Sequence, residues 1–328
     1  MDSPAPDGGA DRIAPRAAAV TSAPHAEVAG EALLLCVREW LVPDPQEAFC
    51  RVLRQLADAS HFGSPYATRF GCRKMAALVY CSNKLERTLP QGAAEHETYA
   101  LIEGLAEANC GPSDVAQWRQ VGGVRWEADG ARDGTGARQQ FMQHMRALRF
   151  LLSRLDAPMT VDLLMDTHTI LMTGAMHSGR DVAAGVLRNH SCHDGSGHVY
   201  PDGDPAKLRG ALTRIAEAFN DAVAARVLTP EVLVTAPIRL FYDVVTLHPF
   251  SDGNGRLSRL LFAFAVRQLG VPFTVPLTSG HRKARGHYMR AILLARRGHF
   301  EELQTLALMS IGDVLNNFAE NVRLMGDA

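Results

Sequence analysis

Twelve residues late in the chain, from His248 to Arg259, read HPFSDGNGRLSR and bring together a base, a carboxylate, two glycines flanking an amide, and two arginines. The apolar helical pattern breaks here and then resumes. A helix starting near Gly255 offers unpaired backbone N–H groups and the positive end of its dipole, which together make an anion site. Gly253 and Gly255 let the backbone approach a phosphate, and the Asn254 side-chain amide can donate to one. Arg256 and Arg259 are neighbours on the first turn of that helix, within reach of one polyphosphate tail. Asp252 adds a hard oxygen of the kind Mg²⁺ uses when it bridges phosphates. His248 adds an imidazole able to take a proton from a hydroxyl near neutral pH. The same residues also suit an ordinary polar turn, since Asp-Gly and Asn-Gly are common turn dipeptides and a histidine at a helix C-terminus is favoured by the dipole.

Those residues need helices to hold them, and helical periodicity dominates the chain. Two short helices are expected on either side of Pro43 to Pro45, and others over 74–87 and from Glu95 to a stop at Gly111-Pro112. Residues 121–138, rich in Gly and Asp, read as a loop. Helical spacing returns from Gln139 and ends before Pro158; the next helix has Thr160 as N-cap and Asp162 in its first turn. The stretch 179–203 breaks the period, and its HDGSG centre fits one small β-hairpin. Helices follow from Pro205, from Thr229-Pro230 into His248, and from the signature to a stop at Gly270. The remainder closes with helices from His287 onward.

At 328 residues and 47% hydrophobic content, the chain has material for a substantial core. A formal net charge of -1 excludes a globally basic binder of nucleic acid or membrane surface. Cysteines at 36, 50, 72, 81, 110 and 192 show no C-x-x-C pair, which fits a reducing, cytoplasmic compartment. Residues 1–30 are Ala-, Pro- and Gly-rich, lack the charge and apolar pattern of a signal peptide, and read as a disordered tail. No apolar run reaches membrane-spanning length. His190, Cys192, His193 and His198 crowd the expected hairpin with a spacing that matches no standard zinc template. The basic residues between His281 and His299, among them Arg282, Lys283, Arg285, Arg290, Arg296 and Arg297, define a rival reading as a nucleic-acid face. The run is short and has little aromatic interleaving.

HPFSDGNGRLSR resembles the signature of the Fic family (filamentation induced by cyclic AMP), H-P-F-x-D/E-G-N-G-R-x-x-R, at all nine specified positions. The resemblance extends over about 70–310, with GVLRNHS similar to the family's G-x-x-R at the start of the flap. It implies a mainly α fold, a Fic-type helical bundle with a small β-hairpin flap. By position, His248 is expected to be the general base, Asp252 to hold Mg²⁺, Gly253, Asn254 and Gly255 to form the anion hole, and Arg256 and Arg259 to bind the β- and γ-phosphates. Arg188 is the expected flap residue. Tyr288 matches a tyrosine near the nucleoside or is a half-buried packing residue, and Arg296 stands where members often have an asparagine near the base.

The activity implied is protein adenylyltransfer: AMP passes from ATP to a Ser, Thr or Tyr hydroxyl of a protein substrate, releasing pyrophosphate. The runners-up are removal of AMP, transfer of another nucleotide or phosphate-bearing group, and a nucleotide- or nucleic-acid-binding regulatory module. ATP and a protein substrate are the expected partners; a homodimer is allowed, and a nucleic acid or membrane is not expected. CSNKLERT, from Cys81 to Thr88, is similar to the family's inhibitory pattern S/T-x-x-x-E-G/N through Ser82 and Glu86, while Arg87 departs at the last position. On its own Glu86 reads as a solvent-facing helix carboxylate; the resemblance implies pairing with Arg259 and autoinhibition. The expected organisation is a tail over 1–30, an N-terminal helical region over 31–160 with an inhibitory helix at about 74–88, a core over 161–310 and a C-terminal helix over 311–328.

Overall fold

A computed structural model describes residues 64–88, 134–177, 180–194, 197–201, 203–225, 230–278 and 284–326. The expected tail over 1–30, the helix candidates within 31–60 and 95–110, most of the loop over 121–138, the cap Thr229, and Arg282 and Lys283 lie outside them. Among the described residues there are eight helices and two short antiparallel ladders. The expected mainly α class is what is found.

The first helix, α1 (Pro65–Glu86), starts earlier than the expected Lys74 because Ser64 caps it, its hydroxyl accepting from the Ala67 N–H at 3.1 Å, with Pro65 in the first turn. Its end is fixed by Arg87, which adopts a left-handed φ of 57° and donates its N–H to Lys84 O, while the Thr88 N–H donates to Asn83 O. Next come α2 (Gly134–Leu152) and α3 (Val161–Met172). The expected cap is in place on α3, where Thr160 Oγ1 accepts from the Leu163 N–H at 3.0 Å.

Where one hairpin was expected there are two. Strands β1 (Met176–His177) and β2 (Arg180–Asp181) pair as Met176↔Asp181, and β3 (Cys192–His193) and β4 (Val199–Tyr200) pair as Cys192↔Tyr200. The first is hidden from the sequence because two-residue strands carry no alternation to read. The chain continues as α4 (Pro205–Ala224), α5 (Pro230–Leu247), α6 (Asn254–Gln268), α7 (Ala284–Ala295) and α8 (Glu301–Gly326). Helix α8 runs unbroken through the boundary expected at 310/311, and Leu308 and Ile311 join one cluster. That boundary therefore falls inside a helix whose apolar face continues across it.

Helix α6 is the spine. Every residue from Leu260 to Val266 is fully buried, as expected of a helix apolar on all sides. Phe262 on one side joins a cluster with α1, α5, α7 and α8; Leu257, Leu261 and Phe264 on the other join α2, α3 and α4. Phe70 of α1 meets Phe273 edge-on at 4.8 Å and Phe318 of α8 at 5.1 Å. Burying such a ring contributes roughly 1.5–3 kcal/mol, so α1 is fastened at its start and its last turn is aimed at α6. No helix among the described residues is long and apolar enough to cross a membrane.

Candidate active site

Between α5 and α6 the chain must reverse, and two left-handed residues do it: His248 at φ 50° and Gly253 at φ 78°. For a histidine this conformation costs roughly 1–2 kcal/mol. It is held from both sides, since the His248 N–H donates to Val244 O at 3.1 Å and its carbonyl accepts from Arg188 Nε at 2.6 Å. A Cβ on Gly253 would lie 2.6 Å from Met172 Sδ, so glycine is required by space as well as by φ.

The Asn254 side chain, expected to donate to a phosphate, is bonded to the loop through both of its polar atoms. Its Oδ1 accepts from the Phe250 N–H at 3.0 Å and its Nδ2 donates to Phe250 O at 2.8 Å, so the amide is engaged on both sides and buried. The residue thus staples the loop that leads into α6. Phe250 in turn is buried against His168, ring to ring at 3.7 Å and 6°. Both nitrogens of His168 are engaged: Nδ1 accepts from the Gly185 N–H at 2.9 Å, which leaves Nε2–H to donate to Asp252 O at 2.9 Å. Burial lowers the His168 pKa to about 4, holding the ring neutral.

Asp252 Oδ1 accepts from the Gly253 N–H at 2.6 Å, and Oδ2 lies 3.7 Å from Arg256 Nη2. Arg256 is 3% exposed; its Nη1 donates to Gln140 Oε1 at 2.7 Å, while its Nε has no partner among the described residues. Burial pushes its pKa down. Arg259 crosses to α1, donating Nε to Ser82 Oγ at 2.7 Å, Nη2 to Glu86 Oε1 at 2.6 Å and Nη1 to Tyr288 Oη at 3.2 Å. Ser82, Glu86 and Arg259, far apart in sequence, thus converge. Tyr288 is 3% exposed and edge-on to Phe241, so its ring is packed rather than half-buried.

Around these groups lies a cavity of about 550 Å³ lined by Glu86, His248, Asp252, Arg256, Arg259 and Tyr288, among others. This size suits a cofactor-sized ligand. His248 Nδ1 sits 3.2 Å from Val245 O, which assigns the proton to Nδ1 and leaves Nε2 as the acceptor. Burial lowers the His248 pKa, favouring the neutral base. As for a metal, Asp252 supplies one hard oxygen at the cavity wall, and no three His, Cys, Asp or Glu residues converge among the described residues. A single carboxylate suits Mg²⁺ that is held mainly by waters and substrate phosphates.

Arg188 acts as a clip: it donates to His190 O at 2.8 Å and to Pro201 O, the two ends of the β3–β4 hairpin, as well as to His248 O. Arg296 is bound to that same hairpin, its Nη2 2.6 Å from Asp194 Oδ2. Tyr200, Asp194 and His168 are site residues for which the sequence carries no local signal, because each matters through a partner distant in the chain. The basic stretch after His281 does not form a uniform row: Arg290 pairs with Glu302 at 2.8 Å, Arg296 turns to Asp194, and Arg285 lines the cavity.

Residues 158–266 match the family model described as the Fic/DOC family. A Fido-domain-containing protein of Dictyostelium discoideum is 31% identical over 91 residues, 26% of this chain and 60% of that protein. The chain therefore matches less than two thirds of that relative's length. Among solved structures, a Fic-domain-containing signalling protein from Bacteroides thetaiotaomicron has a TM-score of 0.62 at 14% identity, over 84% of this chain and 97% of that one. Fic-1 from C. elegans has a TM-score of 0.61 at 17% identity, over 86% of this chain and 73% of its own. At these identities the likeness to the two structures is one of fold.

Proposed function

We propose that this chain, whose residues 158–266 match the Fic/DOC family, a family whose members usually transfer AMP or other nucleotide groups to proteins, is a protein adenylyltransferase restrained by Glu86. The observation that carries the reading is the convergence of His248, Asp252, Arg256, Arg259 and the start of α6 on one cavity of about 550 Å³.

In the proposed reaction His248 Nε2 takes the proton of a substrate hydroxyl. The hydroxyl oxygen attacks the α-phosphorus of ATP; the bond from that phosphorus to the bridging oxygen breaks, and pyrophosphate leaves. Backbone N–H groups at the start of α6, with the helix dipole, stabilise the charge that develops. Arg256 and Arg259 bind the outer phosphates, the former with an Nε–H that has no partner among the described residues. Family members use ATP and Mg²⁺ in general; Asp252 would hold the ion, which neutralises phosphate charge when bound. Such positioning by a fixed scaffold accounts for much of a phosphoryl transfer.

The restraint follows from space and charge. Glu86 Oε1 occupies a guanidinium nitrogen of Arg259 at 2.6 Å and lies only 2.6 Å from where a Cβ on Gly255 would be. A carboxylate is thus seated on the first turn of α6, where a phosphate oxygen would otherwise take both partners. Intact-mass measurement after incubation with ATP and Mg²⁺ tests the proposal: Glu86→Gly should gain the mass of AMP, and the Glu86→Gly, His248→Ala double variant should not. No gain in any form sinks it.

A further inference from the structure

One aromatic residue touches the base of this site without entering the chemistry above. Tyr200, in β4, lies parallel to the His248 imidazole with centroids 4.2 Å apart and an interplanar angle of 13°. Tyr200 is 4% exposed, so the contact is a covered one. Its hydroxyl donates to Asp194 Oδ2 at 3.1 Å and accepts from Arg296 Nη2, which also holds Asp194. The hairpin beneath it is fastened separately, through Arg188 to His190 O, Pro201 O and His248 O.

These contacts share out the orientation of His248. Its main chain is fixed by Arg188 and Val244, and its Nδ1 by Val245 O, but neither prevents the ring from tilting about that one hydrogen bond. A flat ring stacked on the imidazole face removes the tilt and excludes water from that face. We propose that Tyr200 is the positioning residue for His248, its ring, stacked on the imidazole face, setting the plane of the imidazole and thus the direction of the Nε2 lone pair. The proposal rests on the reading of His248 as general base.

The test uses the full chain in the Glu86→Gly background, comparing Tyr200→Phe with Tyr200→Leu. Steady-state AMP transfer gives kcat and KM, and NMR at about pH 8, where the imidazole is neutral, reads the ring-current shift that a stacked tyrosine imposes on the His248 ring protons. Tyr200→Leu should lose the shift and lower kcat by about tenfold to a hundredfold with KM for ATP within about threefold; Tyr200→Phe should keep the shift and stay within about threefold in kcat. If Tyr200→Leu does not fold by circular dichroism, Tyr200→Met, which keeps apolar volume without a ring face, is read the same way. A lost shift with unchanged kcat, or a Phe variant as impaired as the Leu variant, overturns the proposal. A parent protein that transfers no AMP although the shift is present overturns the functional reading instead.

Discussion

Arg259 on α6 and Glu86 at the end of α1 meet at 2.6 Å although 173 positions separate them, and the arginine side chain is only 3% exposed when they do. A buried guanidinium is costly unless its donors are matched. Here Ser82, Glu86 and Tyr288 match them, so the buried charge is compensated within the protein. Several measurable consequences depend on that pairing and on the loop beside it.

Removing the carboxylate should open the arginine to a phosphate. Glu86→Gly is expected to raise the initial rate of AMP transfer by about tenfold to a hundredfold, the range that one charged hydrogen bond of about 1.5–3 kcal/mol allows. Filter-binding or mass-based initial rates decide it, and equal rates in the two forms would argue that Glu86 is a bystander.

Arg87 occupies a left-handed position that glycine or asparagine takes more easily. Arg87→Gly should therefore stabilise the fold by about 1 kcal/mol in urea unfolding and hold Glu86 more firmly, lowering basal transfer. A destabilised or more active Arg87→Gly would contradict this.

Asn254→Ala removes two hydrogen bonds to the Phe250 backbone. Leaving those groups unmatched should cost about 2–4 kcal/mol of stability, and transfer should fall through kcat, because the loop that carries Asp252 loosens. A variant with wild-type unfolding and only a raised KM would restore a direct phosphate role for the side chain.

Burial holds the His248 pKa below its ordinary value of 6.5, so the ring remains a neutral base into mildly acid solution. The acid limb of kcat is expected to fall below pH 6.5, with activity lost only as pH drops through the lowered value. A limb at or above that value would contradict the burial argument.

His168 gives the corresponding statement about stability. Its folded pKa is about 4 against 6.5 in the unfolded chain, so its contribution is fully present above 6.5 and is lost as pH falls toward 4. The loss is on the order of 3 kcal/mol. Urea unfolding of wild type and His168→Gln between neutral pH and about pH 4.5 checks it; the variant should show the shallower decline.

Much of the scaffold was legible because it rests on short-range physics. Thr160 caps its helix as its type requires, Gly270 takes the left-handed position after α6 at φ 97°, and the apolar run after Arg259 becomes the buried spine. Less legible were features that carry no period or whose neighbours lie far along the chain. The β1–β2 ladder is too short to show alternation, and Asn254 looked like a phosphate donor because its type is right for that role and its partner, Phe250, was not visible as one.

What the sequence determined alone was therefore the local chemistry: a base, a carboxylate, a helix start and two arginines within twelve residues, since spacing along one loop suffices to place them together. The tertiary structure decided which of those groups are free and which are engaged. Arg259 is engaged by Glu86, Asn254 by Phe250, and His248 is stacked on Tyr200. Each of these depends on burial and direction, because a hydrogen bond or a ring stack requires that two side chains meet at one distance and angle. No spacing in a linear chain specifies that for residues brought together by packing.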